Sequence, residues 1–163
     1  MPCSGPAAPK ATTPDPSISP LTGARGVIAS APTMRTTHDI ERFLEAAEIT
    51  FQDYGDGLYV VTDGQGHRDL AIKVEPPVVV FRLKVGEVPE PGAPDREALF
   101  EELLRLNGTG LLHAAFCIAP DGVYLTAALP LDNLDQNEFQ AVVDDIGMAM
   151  SQHLPLLRLP RSN

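Results

Sequence analysis

Apolar positions first recur at helical spacing in "TTHDIERFLEAAEI", where Ile40, Phe43, Leu44 and Ala47 follow the i, i+3, i+4, i+7 rule and Glu41, Glu45 and Glu48 face away. Thr36 or Thr37 is placed to cap this helix and Asp39 to sit in its first turn, so the pattern predicts a helix over roughly 38–49. The period then changes to two. "GLYVVTD" is short and β-branched, and "DGQG" at 63–66 is a turn sequence. "RDLAIKVE" alternates Leu70, Ile72 and Val74 against Ala71, Lys73 and Glu75. Pro76 and Pro77 interrupt the run, because proline cannot donate to a ladder. "VVVFRLKV" resumes it with Val79, Phe81, Leu83 and Val85 on one face and Val80, Arg82 and Lys84 opposite. Period two with one polar face predicts antiparallel strands.

Beyond the proline loop "GEVPEPGAP", Asp95 heads a second helix, "REALFEELLRLN", which Asn107 and Gly108 are expected to end as a glycine cap. Leu99, Phe100, Leu103, Leu104 and Leu106 give that helix a broad apolar face. "HAAFCI" reads as a strand, "APDG" as a turn and "VYLTAAL" as a second strand that Pro130 stops. Asp135 and Glu138 have capping-box spacing ahead of Phe139, Val142, Val143, Ile146, Ala149 and Met150, a helical stripe ending near His153. Helix, three strands, helix, two strands, helix is the order of an α+β domain, three helices on a twisted antiparallel sheet. Strands and helices do not alternate singly, as a doubly wound parallel sheet requires.

The 163 residues suit one domain, expected over 36–154. Residues 1–35, rich in Pro, Ala, Ser and Thr, have too little apolar surface to offset ordering entropy and are expected to be a disordered tail; 155–163 form a short second tail. Met34, at the end of the first tail, is a candidate alternative start. The net charge is −10, and the first 35 residues hold Lys10, Arg25 and Arg35 against Asp15 alone, so the body is more acidic still. Such a body repels phosphate backbones, which argues against nucleic acid as a partner. No apolar run is long enough for a membrane span, and the N-terminus lacks a signal-peptide pattern. Cys3 and Cys117 stand alone, which predicts neither a disulfide framework nor a cysteine zinc site and fits a reducing cytoplasm.

Candidate chemistry is sparse. "GTG" at 108–110 follows a helix and precedes a strand, the reverse of a phosphate-cradling loop. His113 and Cys117, four apart on a regular strand, would be about 13 Å distant, too far for a nucleophile pair. His38, His67, His113 and His153 are scattered, and Asp53, Asp56 and Asp63 do not have EF-hand spacing, so no metal site is expected. The adjacent acids Glu101–Glu102 and Asp144–Asp145 diverge on a helix and read as solvated faces. No catalytic set, metal or cofactor is predicted.

"ELLRLNG", followed by a strand and then by "APDGVYLTAALPLDNLDQNEFQAVV" and a closing helix, resembles the CesT-like type III secretion chaperones and the related YbjN-like domains over about residues 36–153. The resemblance implies a small acidic homodimer without enzymatic activity that holds an extended export segment of a client or effector protein. It also implies a dimer interface on the second helix, here Leu99, Phe100, Leu103 and Leu106. The alternative is a YbjN-like accessory or regulatory domain with no secretion client. Read from the residues alone, that helix face either covers the sheet or self-associates. Likewise Ile40, Phe43, Leu44, Val79 and Phe81 either are ordinary core or line client-binding grooves. An unpaired strand edge is a further acceptor for an extended peptide, and the acidic body favours a basic one.

Overall fold

A computed structural model describes residues 33–62, 69–157 and 159. The expectations for residues 1–32, for the turn at 63–66 and for His67 fall outside them. Three helices lie with a six-stranded sheet of order β1-β2-β3-β4-β6-β5, in which every neighbouring pair is antiparallel. The helices are α1 (Thr37–Ala46), α2 (Arg96–Thr109) and α3 (Gln136–Met148). The strands are β1 (Phe51–Asp53), β2 (Leu58–Val61), β3 (Ala71–Glu75), β4 (Val78–Gly86), β5 (Ala115–Ala119) and β6 (Gly122–Pro130). The α+β class is as expected, with one strand more than the pattern predicted: β1 is three residues long, too short to carry an alternation.

Local chemistry sets the helix starts. Thr36 Oγ1 accepts from the Asp39 amide, and Asp39 Oδ2 accepts from the Thr36 amide, so α1 begins on a capping box. That backbone hydrogen bond holds the Asp39 carboxyl below the usual carboxylate range. Asp135 and Glu138 make the same reciprocal pair at α3, at 2.9 and 3.1 Å. Asp95 occupies the N-cap of α2 but makes no side-chain hydrogen bond there. The expected glycine cap at Gly108 is corrected. The helix runs through Gly108 to Thr109, and Gly110 caps it in the right-handed region at φ −111°, ψ −13°. Helix α1 stops at Ala46, short of the predicted 49, where the chain turns through Glu48 at φ 56°. Past α3, a π-turn over Ala149–His153 and a 3-10 turn over Leu154–Leu156 bring Leu157 back into the core.

One face of the sheet carries the core. Tyr59, Val61, Ile72, Val79, Phe81, Leu83, Val123, Leu125 and Phe116 point into it. Phe139 of α3 meets Phe81 at 5.3 Å and Phe43 of α1 at 5.6 Å. The Tyr59 hydroxyl donates to Glu41 Oε1 and to the Thr37 carbonyl; burial, and then Glu41, push its pKa up to about 12. Upstream of α1 the chain is tied to the stretch that links β6 to α3. Met34 bridges Asp132, the Arg35 amide donates to the Leu131 carbonyl, and the Arg35 Nε donates to the Leu134 carbonyl. Gly122 closes the β5–β6 turn against the bulge in β4. A Cβ there would meet Lys84 Cε at 2.6 Å and the Gly86 carbonyl at 2.7 Å, so this position admits no side chain.

Candidate functional site

Among the described residues the outer strands of the sheet are β1 and β5. The β5 edge is met by α2. Asn107 donates from Nδ2 to the Phe116 carbonyl (3.1 Å) and accepts at Oδ1 from the Phe116 amide (2.7 Å). One amide side chain thereby stands in for a missing strand, which blunts an edge that would otherwise recruit another chain. Asp145, from the buried stripe of α3, gathers the link between α2 and β5. Its carboxylate accepts from the amides of Leu112 (3.1 Å), His113 (2.8 Å) and Ala114 (2.8 Å). Asp145 is therefore not part of a solvated face; it is 7% exposed, while Asp144 is exposed. His153 Nε2 lies 3.3 Å from the Gly110 carbonyl on the same link.

Over this braced edge lies an apolar surface. Phe100, Leu104, Cys117 and Ile118 surround a cleft of about 280 Å³ that Leu103, Asn107 and Phe116 also line. Leu104 is 71% exposed, Ile118 51% and Leu112, just ahead of β5, 89%. Antiparallel alternation turns the backbone of Ile118 to the same outer side as Phe116, beyond the reach of Asn107. Glu101 and Glu102 pair with Arg105 on the exposed side of the same helix, at 2.7 and 3.7 Å.

Of the four residues expected at a dimer interface, Leu99 and Leu103 are buried in the chain's own core, whereas Phe100 and Leu106 are half-buried. Ile40, Leu44, Val79 and Phe81, expected to line client grooves, are completely buried, and Phe43 is half-buried beneath Phe139 and the Arg35 guanidinium. Their apolar area is covered within the monomer, so they offer an incoming chain little surface. His113 lies exposed ahead of β5 and not on a strand, and Cys117 is a half-buried free thiol. Among the described residues no group of three His, Cys, Asp or Glu side chains is arranged to hold a metal. No described helix is long and apolar enough to cross a membrane.

Asn107 and Asp145 are the structural supports that sequence reasoning missed. For Asp145 a signal existed, since it lies three residues after Val142 and beside Ile146 on the helix's apolar stripe. For Asn107 the following glycine suggested a helix end instead. Replacing Asn107 by Ala strands the Phe116 amide and carbonyl, and the expected loss is about 1–3 kcal/mol in urea unfolding. A loss below about 0.5 kcal/mol would show that water replaces both hydrogen bonds.

The family model CesT_Tir_1 matches residues 33–159. Among solved structures, YbjN from E. coli superposes with a TM-score of 0.56 at 14% identity, covering 80% of this chain and 100% of that one. A chain of the heterodimeric ExoU–SpcU complex, from the type III secretion system of Pseudomonas aeruginosa, superposes with a TM-score of 0.51 at 15% identity. It covers 73% of this chain and 98% of that one. At such identities the likeness is one of fold. No curated protein matches the sequence.

Proposed function

Because the chain belongs to the CesT/Tir family of type III secretion chaperones, we propose that it is a non-enzymatic binding protein which, as a homodimer, holds an extended segment of a client polypeptide. The observation that carries this reading is the uncovered apolar surface around Leu104 and Ile118, on a chain whose described residues assemble no metal-binding cluster. A monomeric domain with a complete core has no use for leucines that exposed on a braced edge, and a two-fold axis through α2 would cover them. Phe100 and Leu104 reach that surface from α2, Ile118 completes it from β5, and Leu103 lines it from beneath, while Leu99 and Leu106 pack toward the core. Four or five large side chains supply much of the roughly 800 Å² that each partner buries in a standard interface. The β1 edge, with no strand on its outer side among the described residues, is the edge offered to an extended client.

The YbjN-like alternative, an accessory or regulatory domain without an export client, shares the fold and is separated by experiment. The tagged chain, purified from its native host, is expected to retain one protein at a fixed ratio and to shield a single short stretch of it from protease. Retention of a fully folded, uniformly resistant partner, or of none, favours the alternative and sinks the chaperone reading.

A further inference from the structure

Gly108 answers no need of the subunit that contains it. It lies inside α2, two residues before the cap, where only proline is a poorer helix former. Its backbone is not among those with positive φ, and Gly110 makes the turn out of the helix. A Cβ on Gly108 would meet no side chain and no other element within 4 Å, whereas one on Gly110 would meet His153 Nε2 at 2.9 Å. Neither conformation nor internal packing therefore asks for glycine at 108. Its position on the helix is more telling. Gly108 follows the exposed Leu104 by four residues and the half-buried Phe100 by eight, and steps of four form one ridge along a helix. That ridge rises at Leu104 and drops to bare backbone at Gly108, so a projecting leucine and an open gap stand one turn apart. Beside them Glu101 and Arg105 are already paired, at 2.7 Å.

We propose that α2 packs antiparallel against α2 of a second copy, with the two-fold axis passing between Leu104 and Gly108, so that Leu104 of each subunit fills the gap at Gly108 of the other. The inference rests on the homodimer reading and names the residues at its centre. Reciprocity selects a second copy as the occupant. In a two-fold interface, if one residue meets another, the second also meets the first. A knob and a gap on one helix meet that condition with the axis level with Leu106, whereas an unrelated chain would have to supply both at the same spacing. The missing side chain lets the two helices approach toward the short end of the usual 8–10 Å separation. Charge does not oppose the crossing. Glu97, nine residues from the axis, is about 14 Å away along the helix. The two Arg105 side chains run along one flank, and each brings Glu101 at 2.7 Å and Glu102 at 3.7 Å with it, so neither is a bare cation. The same turn of α2 borders the cleft between Phe100, Leu104 and Ile118, so the crossing covers that cleft in both subunits.

Gly108→Ala in the full chain is the test, because it should move subunit and dimer in opposite directions. In a Leu104→Asp background, where association through α2 is removed, it is expected to raise the melting temperature by about 2–5 °C, as alanine for glycine in an exposed helix does. In the otherwise unaltered chain, sedimentation equilibrium should give a dimer Kd about tenfold or more higher, since each interface receives two methyl groups in a filled gap. Gly108→Gln, a good helix former with a longer side chain, should raise Kd by about a hundredfold. Thr109→Ala, away from the ridge, should leave Kd within about twofold. Leu104→Ala should weaken the dimer in the unaltered chain but much less in the Gly108→Ala background, because the leucine is the group that meets the added methyl. A Gly108→Ala dimer as tight as the unaltered one, or additive effects of Leu104→Ala and Gly108→Ala, overturns the crossing and leaves a homodimer on another part of the surface. A lower melting temperature in the Leu104→Asp background shows that the fold itself uses the glycine, and also overturns it. An unaltered chain that sediments as a monomer overturns the crossing and the homodimer together, and leaves the Leu104 surface to a client.

Discussion

Asp145→Ala is expected to cost about 3–5 kcal/mol of folding stability, the largest single-residue effect outside the apolar core. The carboxylate accepts three backbone amides in a row, from Leu112, His113 and Ala114, and the shortest two bonds are 2.8 Å. Hydrogen bonds to a charged acceptor are each worth about 1.5–3 kcal/mol, but the three share one carboxylate and two of the donor residues are exposed, so they do not simply add. Alanine leaves those amides facing a cavity on α3 rather than bulk water. In a domain of this size the loss lowers Tm by about 10–20 °C. Asp145→Asn is expected to fall between, since it keeps one acceptor oxygen and sets an NH₂ against the same donors. Asp144→Ala should shift stability by no more than about 0.5 kcal/mol, because Asp144 is exposed and accepts only from Gln140, at 2.8 Å. Urea and thermal unfolding followed by circular dichroism measure all three. A loss under about 1 kcal/mol for Asp145→Ala would mean that water, and not the carboxylate, satisfies the loop.

The same carboxylate marks where sequence stops being legible. Elements whose signal is local were readable: the capping pairs Thr36–Asp39 and Asp135–Glu138, the alternation of Leu70, Ile72 and Val74, and the Pro120–Asp121–Gly122 turn. Each needs only near neighbours in the chain. Asp145 and Asn107 act on backbone 31 and 9 residues away, so their partners exist only once α3 and α2 lie against β5. The interface candidates fail in the same way. Periodicity marks Leu99, Phe100, Leu103, Leu104 and Leu106 as one apolar face, yet it cannot say which of them another element of the same chain will cover. The sheet edge and the Leu157 turn take Leu99 and Leu103, and leave Leu104 outside. The sheet's two faces divide similarly. Alternation placed Val79 and Phe81 opposite Val80 and Arg82, but that all three helices fall on one side is a property of the assembled fold.

That division decides how a dimer is best tested, and Leu104→Asp is expected to convert the protein from dimer to monomer. Leu104 is 71% exposed in the monomer, so its substitution removes almost no internal contact, and the thermal melt of the subunit itself should move little. In a dimer formed on α2 the same leucine sits near the centre. Full burial of a leucine is worth about 1.5–3 kcal/mol, and an aspartate in its place adds the cost of desolvating an unpaired charge. Each two-fold interface contains the residue twice, so Kd should rise by a factor of about a thousand or more. Leu103→Asp cannot serve the purpose: Leu103 is 4% exposed, and a carboxylate there destabilises the fold before it can report on association. Sedimentation equilibrium at micromolar concentration should give twice the chain mass for the unaltered protein and 17.5 kDa for Leu104→Asp, with Ile118→Asp behaving alike. An unaltered chain that sediments as a monomer removes the homodimer. A Leu104→Asp variant that stays dimeric moves the interface away from α2.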